Sequence, residues 1–211
     1  MKLLLMNTCA QEGMLALAED DSILAVESLP GRGSSEHLMP ALRRLLDSVA
    51  WLPRDLDAVA VVDGPGSFTG VRVGLAAAKG LCEAATAGLV AVSRLALLAR
   101  AAGTSGEIVA LLDAGRGEFF CGLYRDGSCI REELITRAAA REISTGRTTL
   151  TCEARVAETA GFGVNLVAEP GPAALLAVAR RRIADGAWTE IASADANYIR
   201  RTDAELLAKG R

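Results

Sequence analysis

The stretch Gly64–Leu81, GPGSFTGVRVGLAAAKGL, concentrates the residues whose types and spacing could do chemistry. It follows the apolar run Ala58–Val62, which reads as a buried strand. Gly64-Pro65-Gly66 then breaks the chain, and Ser67 and Thr69 can each cap a helix that continues to Ala84. A strand, a glycine loop and a helix N-terminus in succession offer backbone N–H groups to an anion. The loop is not a P-loop: the Gly66–Gly70 spacing is wrong, and Val71-Arg72 stands where Lys-Ser/Thr is required. It is not a dinucleotide fingerprint, because Thr69 holds the third glycine position and Ala91-Val92-Ser93 ends the next strand without an acid. Ser67 does not sit in a G-x-S-x-G elbow. His37 is the sole histidine, so a Ser–His pair has only that base to use and a metal site lacks a second imidazole.

The helix that carries these residues has a pattern of its own. Gly70, Gly74, Ala77, Ala78 and Leu81 recur at helical spacing on one side. Glycine inside a helix costs about 1 kcal/mol relative to alanine. A stripe this small implies that something comes very close, either the chain's own sheet or a helix of another chain.

The surrounding elements follow from patterning. Lys2–Met6, Gly13–Ala18 and Ile23–Ser28 read as an antiparallel meander. Ser35 can cap a helix to Ala50 whose apolar face is Leu38, Leu42, Leu45, Leu46 and Val49, with Pro40 early in it. Gly88–Val92 is a further strand, and Ser93 can cap a helix over Arg94–Ala102. Later, Val164–Ala168 reads as a strand, Pro172–Asp185 as a helix, Ala192–Tyr198 as irregular and Ala204–Lys209 as a last helical turn; Thr136–Gly171 gives no clear pattern otherwise. At 51% hydrophobic and only 4% aromatic, the chain builds its core from Ala, Leu and Val. No apolar run reaches membrane-spanning length and the opening MKLLLMNTC is too short for a signal segment, so the expected location is cytoplasmic. Five cysteines without a C-x-x-C pair suit a reduced compartment and argue against zinc. A net charge of -3 gives no electrostatic ground for binding nucleic acid unaided.

The chain repeats itself. With Asn7 set on Asp113, LLLMNTCAQEGMLALAEDDSILAVE lies without gaps on VALLDAGRGEFFCGLYRDGSCIREE, and both read as strand, polar turn, strand, acidic turn, strand. The halves are residues 1–103 and 104–211, the last residues being placed to pack back on the first half. A duplicated unit of meander, helix, strand, helix, strand predicts an α/β protein of the actin-like ATPase (duplicated ribonuclease-H-like) architecture. There the first hairpin of each half wraps nucleotide phosphates, and an Asp on each helps hold the metal. Asn7, Thr8, Asp113, Gly115 and Gly117 fall at those places, but Asn7 lacks the charge that a divalent cation prefers.

GPGSFTGVRVGLAAAKGL is similar to the signature of the TsaB (YeaZ) family, and LDAVAVVDGPGSFTG, AVSRLALLA, DAGRGEFF and NYIRRTDAELL fit the same family. The resemblance is strongest over Trp51–Ala102. Met6-Asn7-Thr8-Cys9 departs from the Leu-Asp-Thr-Ser usual in the family. The resemblance implies a scaffold with no catalytic residue, metal or obligatory cofactor, ATP being held only weakly or within a complex. Its implied partners are a TsaD-like protein and a TsaE-like ATPase, with tRNA met only through the complex and no membrane. Those proteins transfer threonylcarbamoyl to the adenosine beside the anticodon. The catalytic relative binds metal through His-x-x-x-His, whereas Ala41 follows His37 at that spacing here. The family's pairing surface uses two helices of the first half. This places Leu38, Leu42, Leu45, Gly70, Gly74, Ala77, Ala78 and Leu81 at the partner contact, and leaves monomer and homodimer open for the chain alone. The competing readings are a small-molecule kinase or ATPase of the actin-like class, which needs an acid at Asn7, and a peptidase, which needs more than one histidine.

Overall fold

The computed structural model describes residues 1–30, 34–101, 105–197 and 199. β1 (Lys2–Asn7), β2 (Gly13–Glu19) and β3 (Ser22–Leu29) form an antiparallel meander. α1 (Ser34–Ser48), β4 (Ala58–Gly64), α2 (Phe68–Ala85), β5 (Gly88–Ser93) and α3 (Arg94–Ala101) follow, and β4 and β5 extend the sheet in parallel. β6 (Glu107–Gly115), β7 (Glu118–Arg125) and β8 (Ser128–Thr136) repeat the meander. α4 (Arg137–Ser144), β9 (Thr148–Thr151), α5 (Ala154–Thr159), β10 (Asn165–Leu166) and α6 (Pro172–Ala184) complete the second set. The two five-stranded sheets have the orders β3-β2-β1-β4-β5 and β8-β7-β6-β9-β10. They match element for element, which is the duplicated ribonuclease-H-like arrangement that the repeat predicts. The hairpins differ by one residue in register. Asn7 faces Met14, whereas Asp113 faces Phe119, because the second turn is tighter and bulged at Gly115.

Thr136–Gly171 is more regular than its sequence. The Thr136 hydroxyl accepts from the Ala139 N–H and caps α4, while β9, too short to show alternation, is held between β6 and β10. The expected strand Val164–Ala168 shortens to the two residues of β10. The Ser35 side chain, Ala102, Ala204–Lys209 and most of NYIRRTDAELL lie outside the described residues.

β1 is apolar from Leu3 to Met6 because both of its faces are covered there. Leu4 and Met6 meet α1 and α2, while Leu3 and Leu5 meet a layer that includes Leu97 of α3 and Leu175, Leu176 and Ala179 of α6. α3 is shared: its Leu95, Leu98 and Ala99 pack on Ile108, Ala110 and Leu112 of the second sheet. After α6 the chain runs along the edge of β5. The Thr189 N–H donates to Leu89 O (2.8 Å), and the Ala91 N–H donates to Thr189 Oγ1 (2.9 Å). An otherwise open strand edge is thereby covered.

The small-residue stripe of α2 faces inward, which corrects its assignment to a partner contact. Gly70, Gly74, Ala78 and Leu81 are buried, as are Leu38, Leu42 and Leu45 of α1, all within the chain's own core. Ala77 alone of the eight is half-exposed. The physical reason is the chain just after β1. A Cβ at Gly66 would lie 2.4 Å from Cys9 O, one at Gly70 2.0 Å from Thr8 O, and one at Gly74 2.1 Å from Thr8 Oγ1. The Thr8 hydroxyl donates to Gly70 O at 2.7 Å. Three glycines therefore let β1 and α2 approach closer than any side chain permits.

This contact predicts a ranking in urea denaturation. Gly70→Ala meets backbone and destabilises by about 3 kcal/mol or more; Gly74→Ala meets a side chain and loses about 1–2 kcal/mol. A Thr8→Ala background relieves Gly74→Ala but not Gly70→Ala. Equal stability of wild type and both alanine variants contradicts the packing.

Candidate functional site

A cleft of about 1310 Å³ lies between the halves and brings Asn7 and Asp113 together. Asn7 ends β1 and Asp113 lies near the end of β6, so the duplicated fold delivers them to one place. Asn7 Oδ1 accepts from the Cys9 N–H (3.2 Å) and the Cys9 thiol (3.1 Å). Asp113 Oδ1 accepts from the Gly115 N–H at 2.7 Å, and Arg155 Nε lies 3.8 Å from its other oxygen. Thr8 does not line the cleft; it is turned into the α2 contact. Gly115 and Gly117 do not line it either. Their φ values of 73° and 79° make the tight β6–β7 turn, which is why glycine stands there.

Arg94, which the sequence presents only as the first residue of a helix, is the group at the centre of the site. It is 3% exposed. Its Nε and Nη2 donate to the two oxygens of Glu169 at 2.9 and 2.6 Å, and its Nη1 donates to Glu153 Oε1 at 3.0 Å. Glu153 Oε2 accepts the Asp113 N–H at 2.7 Å. Burial raises the Glu169 carboxyl, but the bonds from Arg94 outweigh it and hold the group below its ordinary range. Burial pushes the Cys9 thiol up to about 12, so it is no nucleophile at neutral pH. The signal available in the sequence was a charged residue opening the RLALLARA helix, whose next five residues are all apolar or small.

The residues present do not fit a magnesium nucleotide. The glycine loop turns its donors inward: Ser67 N–H donates to Cys9 O (2.9 Å) and Gly70 N–H to Ser67 Oγ (3.2 Å). The lining holds four carboxylates (Glu12, Asp113, Glu153, Glu169) against two guanidiniums, and the buried guanidinium is fully engaged. Among the described residues no group of three His, Cys, Asp or Glu side chains is placed to hold a metal, and no helix is long and apolar enough to cross a membrane.

Beside the cleft, Glu132 of β8 stitches the seam. It accepts from the hydroxyls of Ser93 and Tyr124 and from Asn197 Nδ2 (2.8 Å). Asp63 of β4 lies near it with one carboxylate oxygen buried and unpartnered, and burial, then the charge of Glu132, pushes Asp63 up to about 7.

The chain is similar to known proteins in sequence and in fold. The family model for TsaD, tRNA N6-adenosine threonylcarbamoyltransferase, matches residues 28–146. The tRNA threonylcarbamoyladenosine biosynthesis protein TsaB of Bacillus subtilis is 35% identical over 124 residues, 58% of this chain and 54% of that one. TsaB of Escherichia coli is 30% identical over 128 residues, 59% of this chain and 55% of that one. The chain thus spans about half the length of the curated relatives it matches. YeaZ from Pseudomonas aeruginosa superposes with a TM-score of 0.76 at 25% identity, covering 93% of this chain and 99% of that one. The ethanolamine utilization protein EutJ from Carboxydothermus hydrogenoformans, at 13% identity and a TM-score of 0.50 over 85% and 89% of the two chains, shares the fold alone.

Asp63 makes stability depend on pH. A carboxyl whose folded pKa is raised favours the folded state only while protonated, so its contribution is full below about pH 4 and lost as pH rises through about 7. The stability gained by Asp63→Asn over wild type therefore grows between pH 4 and 7 and levels off above it, at roughly 2–4 kcal/mol. Parallel stability curves for the two proteins from pH 4 to 8 contradict this.

Proposed function

The chain belongs to the TsaB (YeaZ) family, and from that premise we propose that it is a non-catalytic scaffold for a TsaD-like protein in the transfer of threonylcarbamoyl to the adenosine beside the anticodon of tRNA. The TsaD family model over residues 28–146 supports a chain built on the same plan as its partner. A TsaE-like ATPase joins the pair, and tRNA is met only through the assembled complex, in the cytoplasm. With its cleft engaged by its own side chains, the chain contributes a surface rather than a reaction.

The observation that carries this reading is Gly80. It lies in the middle of α2, exposed, and a Cβ there would meet nothing within 4 Å. Unlike Gly70 and Gly74, it has no use inside the chain, yet it costs the helix about 1 kcal/mol relative to alanine. Lys79 on one flank of α2 donates to Ala194 O (3.0 Å), so Val73, Ala77, Gly80 and Ala84 fall toward the other flank, beside α1. On α1, Arg44 bonds Glu27 of β3, so Met39 and Arg43 fall toward α2. The outward face of the two helices thus sets small and apolar residues among charged ones, Arg43 and Arg72 included. Met39 is 53% exposed and Phe68 52%, and the Arg72 guanidinium lies 3.7 Å over the Phe68 ring. Aromatic and Arg anchors beside small residues suit a helix-to-helix contact. The same face serves a second copy of the chain when the partner is missing.

Size-exclusion chromatography with the TsaD-like partner, run beside thermal unfolding, tests this. Gly80→Arg keeps or slightly raises the melting temperature and weakens pairing at least 100-fold; Gly74→Arg unfolds the chain instead. A folded Gly80→Arg protein that pairs with native affinity removes this face from the contact. The same wild-type preparation hydrolyses ATP negligibly, and turnover that survives stringent purification contradicts the non-catalytic part.

A further inference from the structure

The two halves meet across a cleft lined by residues of both. Side chains of the chain itself bridge it. Arg94 belongs to the first half, at the start of α3, whereas Glu153 precedes α5 and Glu169 follows β10 in the second. The Arg94 fork takes Glu169 through two bonds and Glu153 through a third, a planar match that lysine could not reproduce. The network then reaches the second hairpin, at the residue that would otherwise face a metal or phosphate: Glu153 accepts the Asp113 N–H. The mismatch between this cleft and a magnesium nucleotide is therefore more than a missing carboxylate at Asn7.

We propose that the Glu153–Arg94–Glu169 clamp serves, in place of a bound nucleotide, as the tie that fixes the two halves against each other, so that their relative placement needs no ligand in the cleft. Because Arg94 is buried and its two carboxylate partners are only partly exposed, salt screens the clamp weakly. This inference is independent of the pairing surface on α1 and α2.

Hydrogen exchange by mass spectrometry on the full chain tests it, with Glu169→Gln and Arg94→Met as variants and Mg-ADP as the added probe. In the wild type the segments 7–13 and 152–156 are protected without nucleotide and unchanged by Mg-ADP. Glu169→Gln speeds exchange in both segments at least tenfold while β1 and β6 keep their protection, and Arg94→Met does the same or more. Should Arg94→Met fail to fold, Glu169→Gln alone decides. Wild-type exchange at both segments in Glu169→Gln, a uniform loss of protection across both sheets, or a tenfold slowing of the wild type by Mg-ADP overturns the proposal.

Discussion

Thr8 and Cys9, leaving β1, press directly against the backbone of Gly66, Gly70 and Gly74, and the rest of the first half is arranged around that contact. A Cβ at Gly66 or Gly70 would strike a carbonyl oxygen, and one at Gly74 would displace a hydroxyl already bonded to Gly70 O. Each helical glycine costs α2 about 1 kcal/mol. The return is a helix seated low enough on the sheet for Leu75, Ala78 and Leu81 to join Leu4 and Met6 in one core. The same approach turns the loop's N–H donors toward Cys9 O and Ser67 Oγ, away from any ligand.

The second consequence is architectural. α3 packs on both sheets, α6 returns from the second half to cover the first sheet, and the segment after it lines β5. Together with the Arg94 network and the Glu132 stitches, these elements leave little for a cleft ligand to organise. Across the cleft, the halves are joined by their own side chains, Arg94 on one side and Glu153 and Glu169 on the other. On the outside, the exposed flank of α2 carries Gly80, a glycine that the fold does not use.

Much of this was legible in the sequence. The meander repeat, with Asn7 set on Asp113, reports the two sheets because strand alternation and turn residues are local signals. GPGSFTG reports the glycine loop for the same reason. The identity of what approaches Gly70 and Gly74 was not legible, since a helix stripe states that something is close but not from which side. Gly80, one turn and a half further on, belongs to the opposite face, and only the packing separates the two uses of glycine in one helix. Arg94 was missed because its two partners lie some sixty and seventy residues away, beyond any periodicity. β9 and α5 were missed because elements of four and six residues are too short to display a period.

Side-chain oxidative footprinting of the chain alone and with its TsaD-like partner reads the central claim most directly, because it separates the two faces of α1 and α2. Met39 and Phe68, half-exposed on the outward face, become protected in the complex, while Trp188, 44% exposed over β5, is oxidised equally in both states. Unchanged oxidation of Met39 and Phe68, with protection appearing at Trp188, contradicts the account.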